Sequence, residues 1–523
     1  MTWRWLLLLI SLTACQGPDQ GDPYRPYLRV ADKDDVPTLD PARGYDTASW
    51  QFEDLIFETL VDYNDEGQII GELAQQWKAE ANGTRFVFRL RDDAMFSHGR
   101  QVTAEDVRFA ITRVLAPETG SPGRDFFLSV RGARTCDKPG CEVAGLVTLD
   151  NKTLVVEVEQ PDPLFLHKMA LPFASAVPPE IIVREGENFD FRPVGTGPFL
   201  LAERVAGQRL VLKPNPYYRG AVQPRLPGIV RFVGVPEDLA WMRYRAGLLD
   251  LAIIPPAEIP IVLRDPKLSR LLRTADTLRT QYVGLNCARP PFTDVRVRQA
   301  MNYAIDRRKL IAILHHRASP PQGIVPPTMP GYPQRPEPYP FDPPRALKLL
   351  QAAGLGGGFQ ATLWLRNDET AIRVAQSLQQ DWERVGVRVR LKPVAWGPFL
   401  DAVRHNPNID MFLLGWEADF PDPSNFLEVL FHSRQIGANN HTYYSNPVVD
   451  ALLEQAASTT EPAQRTELYL LAEQRILDDA PWVLLYHPRT MLLSSDRLRG
   501  LRLHAWRPPR LAQLWFAEEK TEE

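Results

Sequence analysis

The residues best suited to bind a charged solute lie in one segment of the C-terminal third of the chain. An apolar run follows Asp410 and ends at Gly415. Trp416 and Asp419 come next, before two prolines. A buried strand that ends this way presents an aromatic ring and a carboxylate in a loop. Such a carboxylate can accept hydrogen bonds from a primary ammonium, whose burial is otherwise costly. The alternative is structural, with Trp416 in the core and Asp419 capping a turn.

Recognisable catalytic motifs are missing from the sequence. The chain contains no H-E-x-x-H, no G-x-S-x-G and no G-x-x-x-x-G-K-[ST]. Gly195 and Gly197 lack the third glycine of a dinucleotide fingerprint and precede a proline, which is typical of a turn. The nine histidines are scattered and show no metal-ligand spacing. We therefore expect no enzyme, no cofactor and no metal site, with an unrecognised secreted hydrolase as the alternative.

The N-terminus has the pattern of an export signal. Arg4 precedes a short apolar run that ends in Leu12-Thr13-Ala14-Cys15. The run is shorter than the roughly 20 residues of a membrane span. Leu-Thr-Ala-Cys resembles the bacterial lipobox, which implies a signal peptide over residues 1–14 and a lipid on Cys15. Residues 15–27 then form a linker between the lipid and the body of the protein. The alternative is an ordinary cleaved signal peptide followed by a cysteine that occurs there by chance.

Three further cysteines follow Cys15 in the sequence. Cys136 and Cys141 enclose a Pro-Gly pair that favours a tight turn, and an exported protein meets oxidising conditions. We predict a disulfide between them, with two free thiols or, less simply, a metal site as alternatives. Cys287 lies in an apolar stretch and is expected to be a buried thiol.

Alternating helix and strand patterns must position these residues. Residues 85–91 place large apolar side chains at alternate positions, as in a half-buried strand, and Thr103 with Asp106 resembles a capping box before a helix. Residues 294–314 predict one long amphipathic helix, with Arg298 and Arg307 among the arginines that face water. From about residue 344 to 391, helix and strand patterns alternate twice. These patterns predict α/β layers.

Size and charge limit the remaining possibilities. A chain of 523 residues is too long for one ordinary core, so two or three domains are expected. The formal net charge of −4 provides no field that would attract nucleic acid. Proline makes up 48 of the 523 residues, well above the average of about 5%, which indicates many rigid loops.

A series of motifs in a fixed order resembles the extracytoplasmic solute-binding proteins of ABC importers that carry dipeptides and oligopeptides, family 5. No single motif decides the resemblance, which extends over nearly the whole chain. The matching segments are Thr38–Pro41, Thr103–Val107, Pro193–Pro198, Pro291–Ala300, Ala304–Arg307, Gly323–Tyr332, the Gly-Trp-x-x-Asp loop and Pro481.

The resemblance implies an α/β fold like that of periplasmic binding proteins. Two main α/β lobes are joined by a hinge, an extra domain is inserted in the first lobe, and ligand is enclosed between the two lobes. The implied bounds are 28–57, 178–277 and 488–523 for the first lobe, 58–177 for the inserted domain and 278–487 for the second lobe.

The resemblance also implies the roles of individual residues. In peptide-binding relatives the loop aspartate, here Asp419, holds the peptide ammonium, and main-chain groups near Gly415 pair with the peptide like an added strand. Arg404 matches a basic position that meets a ligand carboxylate in some relatives. Some oligopeptide binders have a second arginine where this chain has Leu413. The other implied ligand-binding positions are Trp416, Trp396, Tyr282 and Tyr486.

The expected function is therefore solute capture outside the cytoplasm, in the periplasm or at the cell surface. The expected partners are a peptide or similar small solute, an ABC permease with its ATPase, and a membrane that holds the lipid anchor. We expect a monomer that binds no nucleic acid. Relatives that carry oligosaccharides, opines, haem or nickel chelates provide the alternative cargoes.

Overall fold

The computed structural model of the protein describes residues 22–138 and 140–517. The predicted signal peptide and the lipidation site Cys15 lie outside the described residues. The strands are β1 (Leu28–Ala31), β2 (Val61–Tyr63), β3 (Ile69–Gly71), β4 (Ala74–Glu80), β5 (Arg85–Leu90), β6 (Leu146–Asp150), β7 (Thr153–Glu157), β8 (Phe199–Val205), β9 (Arg209–Pro214), β10 (Ile229–Phe232), β11 (Leu251–Ile253), β12 (Leu272–Asp276), β13 (Arg279–Leu285), β14 (Ala318–Ser319), β15 (Phe359–Arg366), β16 (Val387–Val394), β17 (Met411–Glu417), β18 (Trp482–Ser494), β19 (Leu498–Arg499) and β20 (Trp515–Phe516).

The α-helices alternate with these strands along much of the chain, as α/β layers require. They are α1 (Thr47–Ile56), α2 (Ala104–Leu115), α3 (Phe165–Met169), α4 (Pro179–Glu185), α5 (Glu237–Arg245), α6 (Ile259–Arg264), α7 (Pro266–Leu271), α8 (Val295–Tyr303), α9 (Arg307–Ile313), α10 (Pro343–Ala352), α11 (Glu369–Glu383), α12 (Trp396–His405), α13 (Ser424–Phe431), α14 (Pro447–Ser458) and α15 (Pro462–Asp479).

A four-stranded sheet in the order β1-β10-β9-β8 joins the start of the body to residues about 200 positions later. Leu28 pairs in parallel with Ile229, while the other neighbours in this sheet are antiparallel. Leu28, Leu210, Leu212 and Ile229 belong to the core of this unit and are almost fully buried. Because the first strand pairs with a distant one, the chain between them can fold as an insertion.

A second antiparallel sheet, β4-β5-β7-β6, lies within that intervening segment. The strict alternation of β5 places Phe86, Phe88 and Leu90 on its buried face, in a core that also includes α2. The predicted capping box is confirmed, because Thr103 and Asp106 satisfy each other's main-chain groups at the start of α2.

The largest sheet has eight strands, with the order β11-β18-β13-β17-β15-β16 and with β12 and β14 paired to β18. One hydrophobic cluster covers each face, and successive residues of β17 alternate between them: Met411 and Leu413 in one, Phe412 and Leu414 in the other. β18 is long enough to pair with β13 near Trp482 and with β11 and β12 near its end. It therefore runs through the predicted boundary between residues 487 and 488.

The long helix predicted over residues 294–314 is wrong in two respects. It is two helices, α8 and α9, because the Asp306 carboxylate accepts a hydrogen bond from the main-chain nitrogen of Lys309 and begins the second one. Arg298 and Arg307, predicted to face water, are only 7% and 2% exposed. Arg307 donates to the carbonyl oxygens of Leu484 and of a residue in the loop before α10, which satisfies its buried guanidinium.

The cysteines take different positions. The structure joins Cys136 and Cys141 in a disulfide, with Cα atoms 5.2 Å apart, and Cys136 is fully buried. Cys287 is half-buried, and burial raises the pKa of its thiol to about 11. None of the helices in residues 22–138 and 140–517 combines the length and hydropathy of a bilayer-spanning segment.

Candidate ligand-binding site

The candidate site lies at one edge of the large sheet. β15 runs parallel to both β16 and β17, so the carboxyl ends of all three strands meet at the same edge. Arg366, Trp396 and Glu417 follow or end these three strands there. Ligands of α/β sheets bind outside the carboxyl ends of strands, where loops supply the side chains. The Gly-Trp-x-x-Asp segment continues from β17 into this edge.

Asp419 occupies the centre of a hydrogen-bond network that joins two parts of the chain. Its carboxylate accepts a bond of 3.3 Å from the Tyr45 hydroxyl and another of 3.3 Å from the Asn425 side-chain amide. Tyr45 lies just before α1, 374 residues earlier in the sequence. Tyr45, which precedes α1, and Asp419, which follows β17, therefore meet although they come from remote parts of the chain.

Asn425 is a site residue that the sequence interpretation missed. It is 2% exposed, and its side-chain oxygen accepts hydrogen bonds from Trp416 Nε1 at 3.1 Å and from the Asp419 main-chain nitrogen at 3.3 Å. It therefore fixes both the tryptophan ring and the aspartate. Its place in the first turn of α13, directly after the loop, was a signal, but nothing in sequence spacing distinguishes this role from capping.

Asp419 has no cationic partner in the part of the chain that the structure describes. No Lys or Arg nitrogen there lies within 4.0 Å of its carboxylate oxygens. Burial raises the pKa of its carboxyl, the hydrogen bonds from Asn425 and Tyr45 oppose this rise, and the charge of Glu417 adds to it. A carboxylate in this state gains stability from an added cation. An ammonium group fits that requirement.

Asp422, in the same loop, has the opposite environment. Arg465 donates two hydrogen bonds to its carboxylate, at 2.5 and 2.8 Å, and Ser424 donates two more, from its hydroxyl and its main-chain nitrogen. Burial alone would raise the pKa of Asp422, but the hydrogen bonds and charge of Arg465 outweigh it and lower that pKa. This ion pair holds the loop to α15, which fixes the far end of the segment that carries Asp419.

Helix α3 also contacts this loop. The Phe420 ring stacks on His167 with 5.8 Å between ring centroids, and His167 Nδ1 lies 2.9 Å from the Tyr63 hydroxyl. Burial lowers the pKa of His167, although the charge of Asp422 opposes this. The neutral imidazole therefore packs between Tyr63 and the loop, and the loop is held from both sides.

β17 presents an open edge next to this network. Ala418 N donates to Leu278 O, and Asn286 N donates to the carbonyl before β17, so the even-numbered residues of β17 bond to β13. Gly415 and Glu417 therefore point their main-chain groups away from β13. On that side β15 pairs only with residues 411 and 412 of β17. Within the described ranges no strand pairs with the edge at Gly415 and Glu417.

Two of the predicted tryptophans lie at this edge. Trp416 is half-buried, with its indole nitrogen bonded to Asn425 as described above. Trp396 begins α12 and is 44% exposed, with the Arg366 guanidinium 5.2 Å from its ring centroid. The exposed Trp396 ring beside a strand end is accessible to a ligand, and the roles of both tryptophans toward a ligand stay predictions.

The remaining predicted residues are not all brought to Asp419. Tyr282 is 2% exposed and stacks on Trp482 inside the core, with ring centroids 3.4 Å apart. Tyr486 is 7% exposed on β18, opposite Gln281 of β13, and burial raises its pKa to about 12 although the charges of Arg279 and Arg317 oppose the rise.

Arg404 lies in the last turn of α12 and is exposed. It is eight residues after Trp396, which is about 12 Å along a helix axis. Its charge adds to the effect of burial, which lowers the pKa of the nearby His441 to about 4. Its role toward a ligand carboxylate stays a prediction from the resemblance.

Comparison with known proteins identifies the class of this site. The family model described as "Bacterial extracellular solute-binding proteins, family 5 Middle" matches residues 68–438. The chain belongs to this family. The predicted family and fold class of this family 5 solute-binding protein are thereby confirmed, and so is its function as a solute-binding protein that acts outside the cytoplasm.

Relatives cover almost the whole family 5 protein. The probable deoxycholate-binding periplasmic protein YgiS of Escherichia coli (strain K12) is 28% identical over 519 residues, 96% of each chain. The glutathione-binding protein GsiB of the same strain is 28% identical over 474 residues, 88% of this chain and 89% of GsiB. The solved structure of the Escherichia coli murein tripeptide binding protein MppA has a TM-score of 0.76 at 27% identity, covering 94% and 98% of the two chains.

Proposed function

We propose that this protein captures a peptide bearing a free ammonium group between its two lobes and delivers it to an ABC importer. The observation that carries the proposal is the carboxylate of Asp419, which is bonded by Tyr45 and Asn425 and has no cation beside it among the described residues. Two relatives, named for glutathione and a murein tripeptide, agree with a peptide cargo. The ammonium would replace the missing positive charge.

The open edge of β17 supports the same ligand. The main-chain groups of Gly415 and Glu417 point away from β13, where an extended peptide could add as a further strand. Main-chain hydrogen bonds are the same for every side chain, so they give affinity with little sequence preference.

Closure of the lobes on the ligand completes the proposed mechanism. Tyr45 and Asp419 come from opposite sides of the cleft, and His167 of the inserted domain packs on Phe420 beside them. A ligand that contacts both sides shifts the population toward the closed form. The permease and its ATPase would receive the solute from that form. We place the hinge at residues 277–278 and 487–488, with the first lobe, inserted domain and second lobe bounded as the resemblance implies.

Substitution of Asp419 by asparagine tests the proposal. Removing one partner of a buried charge pair costs roughly 2–5 kcal/mol of binding, so peptide affinity measured by calorimetry should fall by this amount. Asp401→Asn is the matched control, since Asp401 is an exposed carboxylate on α12 bonded to His405. Native mass spectrometry of the purified protein identifies the retained ligand. Equal peptide affinity in Asp419→Asn and Asp401→Asn would contradict the role of Asp419.

A cargo without an ammonium group is the second candidate. The relative that matches 96% of this chain is named for deoxycholate, an anion that would gain nothing from Asp419. Native mass spectrometry separates the two cases. A single adduct with the mass of a bile acid, a sugar or a haem, unchanged in Asp419→Asn, would replace the peptide as cargo. A series of adducts that differ by amino-acid masses would support the peptide.

We also infer that the protein is lipid-anchored through Cys15, so that capture takes place next to the membrane. Leu12-Thr13-Ala14-Cys15 supports this by its likeness to a lipobox. Cys15→Ala should release the protein from the membrane fraction of its host, whereas Cys287→Ala should leave it there. Release of both variants, or retention of both, would contradict the anchor.

A further inference from the structure

A cavity of about 270 Å³ lies beside the carboxyl end of β18. Leu271 and Arg273 form one wall, and residues between 494 and 502 form the other. One molecule of liquid water takes up roughly 30 Å³, so an ionic group of several heavy atoms fits in this space. The cavity shares no residue with the network around Asp419. It is therefore a candidate for a second binding site.

Two arginines in the walls of this cavity have no acidic partner. Among the described residues, no carboxylate oxygen lies within 4.0 Å of the side-chain nitrogens of Arg273 or Arg499. The hydrogen bonds of each guanidinium go to main-chain carbonyl oxygens of its own segment. A third arginine of the wall, Arg502, is bonded to Asp65 instead. The cavity therefore contains two positive charges that an anion would neutralise.

The helices that lead to this cavity carry further cations. Arg264, Lys267 and Arg270 are exposed on α6 and α7, and in the described ranges none of them has a carboxylate within 4.0 Å. Ile261 and Leu263 are 48% and 47% exposed on α6. Exposed apolar side chains next to unpaired cations form the kind of surface that binds an anionic lipid bilayer.

The acids within three positions of these cations in the sequence do not cancel this charge. Asp265 caps α7 by accepting hydrogen bonds from two main-chain nitrogens. Asp276 is paired with Arg489 on β18. Asp496 is exposed but does not line the cavity. Five cations therefore face three acids, and the surface around the cavity keeps an excess of positive charge.

The start of the described chain lies against the wall of the same cavity. Arg497, in the middle of the wall segment, donates hydrogen bonds of 2.6 and 3.0 Å to the carbonyl oxygens of Arg25 and Tyr27. Cys15, the proposed lipid site, precedes Asp22 by seven positions, which span at most about 25 Å in any conformation. A lipid on Cys15 would therefore keep this cavity close to the bilayer.

We propose that this cavity binds the phosphate of an anionic phospholipid through Arg273 and Arg499, so that the contact holds the body in one orientation on the membrane. Arginine suits this ligand because its planar set of donors matches phosphate oxygens. The cations of α6 and α7 add attraction to an anionic surface. The tether raises the effective concentration of the surface, so a weak site is occupied. The inference goes beyond peptide capture at Asp419 and uses the proposed anchor only for proximity.

Flotation of the full chain with lipid vesicles tests this inference. Every variant also carries Cys15→Ala, which removes the proposed lipid, so any contribution of residues 1–21 is the same in all of them. The vesicles contain phosphatidylcholine alone or phosphatidylcholine with phosphatidylglycerol. We expect binding to be about tenfold or more stronger with phosphatidylglycerol and to weaken as salt is added. Arg273→Gln combined with Arg499→Gln should weaken binding to the phosphatidylglycerol vesicles by about tenfold or more.

Arg388→Gln combined with Arg390→Gln is the matched control. Both arginines are exposed on β16, and no carboxylate of the described chain lies within 4.0 Å of either one. This double variant changes the net charge equally and should bind vesicles like the protein with Cys15→Ala alone. An equal loss in both double variants would reveal a general charge effect and contradict the site.

Three further outcomes would overturn the inference. The first is equal binding to both kinds of vesicle. The second is saturable binding of inorganic phosphate, measured by calorimetry, without binding of phosphatidylglycerol vesicles, since the cavity would then hold free phosphate. The third is normal vesicle binding by the Arg273→Gln and Arg499→Gln variant with reduced solute uptake in cells, since the surface would then contact a protein. Peptide affinity at Asp419 is measured separately and should be the same in all these variants.

Discussion

Asp419 and Asp422 lie three residues apart in one loop, and their surroundings differ in almost every respect. Asp422 is 5% exposed and accepts two hydrogen bonds from Arg465 and two from Ser424. Asp419 has neutral donors only among the described residues, from Tyr45 and Asn425. Burial raises the pKa of Asp419, whereas the Arg465 bonds and charge overcome the effect of burial and lower that of Asp422.

This difference separates a structural carboxylate from one available to a ligand. Asp422 is buried and Asp419 is half-buried, so both need compensation for contact with water that they have lost. At Asp422 the chain supplies the compensating charge itself, and the result is a fixed loop. At Asp419 the chain supplies orientation without charge, and the result is a site that a cation completes. Two aspartates that look alike in sequence thus have different environments because of one arginine on α15.

Breaking the ion pair at Asp422 should have the largest effect on stability. Asp422→Asn leaves Arg465 charged and buried without its carboxylate, which typically costs about 3–5 kcal/mol. Urea unfolding should show this decrease in the free energy of unfolding. Asp419→Asn is the comparison, and its free energy of unfolding should be unchanged or higher, because it removes a buried carboxylate that lacks a cation. A similar loss in both variants would show that the two carboxylates are equivalent.

The pKa values of Asp419 and Asp422 are shifted in opposite directions, so lowering the pH should affect ligand affinity and stability over different ranges. The pKa of Asp419 is raised, so its ionised form, which binds an ammonium, is lost early as pH falls, and peptide affinity then drops about tenfold per pH unit below that pKa. The pKa of Asp422 is lowered, so its contribution to stability is present above the unfolded value and is lost only as pH falls through the lower folded one. Calorimetry and urea unfolding across the same acidic range should therefore show affinity failing before stability. The reverse order would contradict the comparison.

Removing the hydroxyl of Tyr45 should have the smallest effect. Tyr45→Phe deletes one neutral donor to Asp419, worth about 0.5–1.5 kcal/mol, and keeps the ring. We expect a loss of this size in peptide affinity, measured by calorimetry, with the unfolding transition unchanged. Tyr217→Phe is a suitable control, because Tyr217 is an exposed tyrosine on another part of the first lobe. An effect as large as that of Asp419→Asn would mean that Tyr45 binds the ligand directly.

Local patterns predicted many individual elements of the fold. The alternation at 85–91, the capping box at Thr103 and the helix and strand series after residue 343 are all present. The helix over 294–314 was predicted as too long, because Asp306 begins a second helix, and its exposed side was predicted wrongly, because its arginines were assigned to water by residue type. Arg298 and Arg307 instead donate to carbonyl oxygens of other segments, and only the folded chain provides those acceptors.

The candidate site was predicted in part. Gly415, Trp416 and Asp419 could be selected because a strand pattern, an aromatic residue and an acid occur together in one short segment. Tyr45 and Asn425 could not, since Tyr45 is 374 residues away and Asn425 has the appearance of an ordinary capping residue.

The sequence alone determined the elements, the family and the loop that carries the acid, because these depend on the order of residues over short distances. The tertiary structure decided which carboxylate is already neutralised. Asp419 and Asp422 have the same side chain and nearly the same position in the sequence, but α15 brings Arg465 to only one of them. Charge pairing depends on distances of a few ångströms between remote segments, and those distances exist only after the chain has folded.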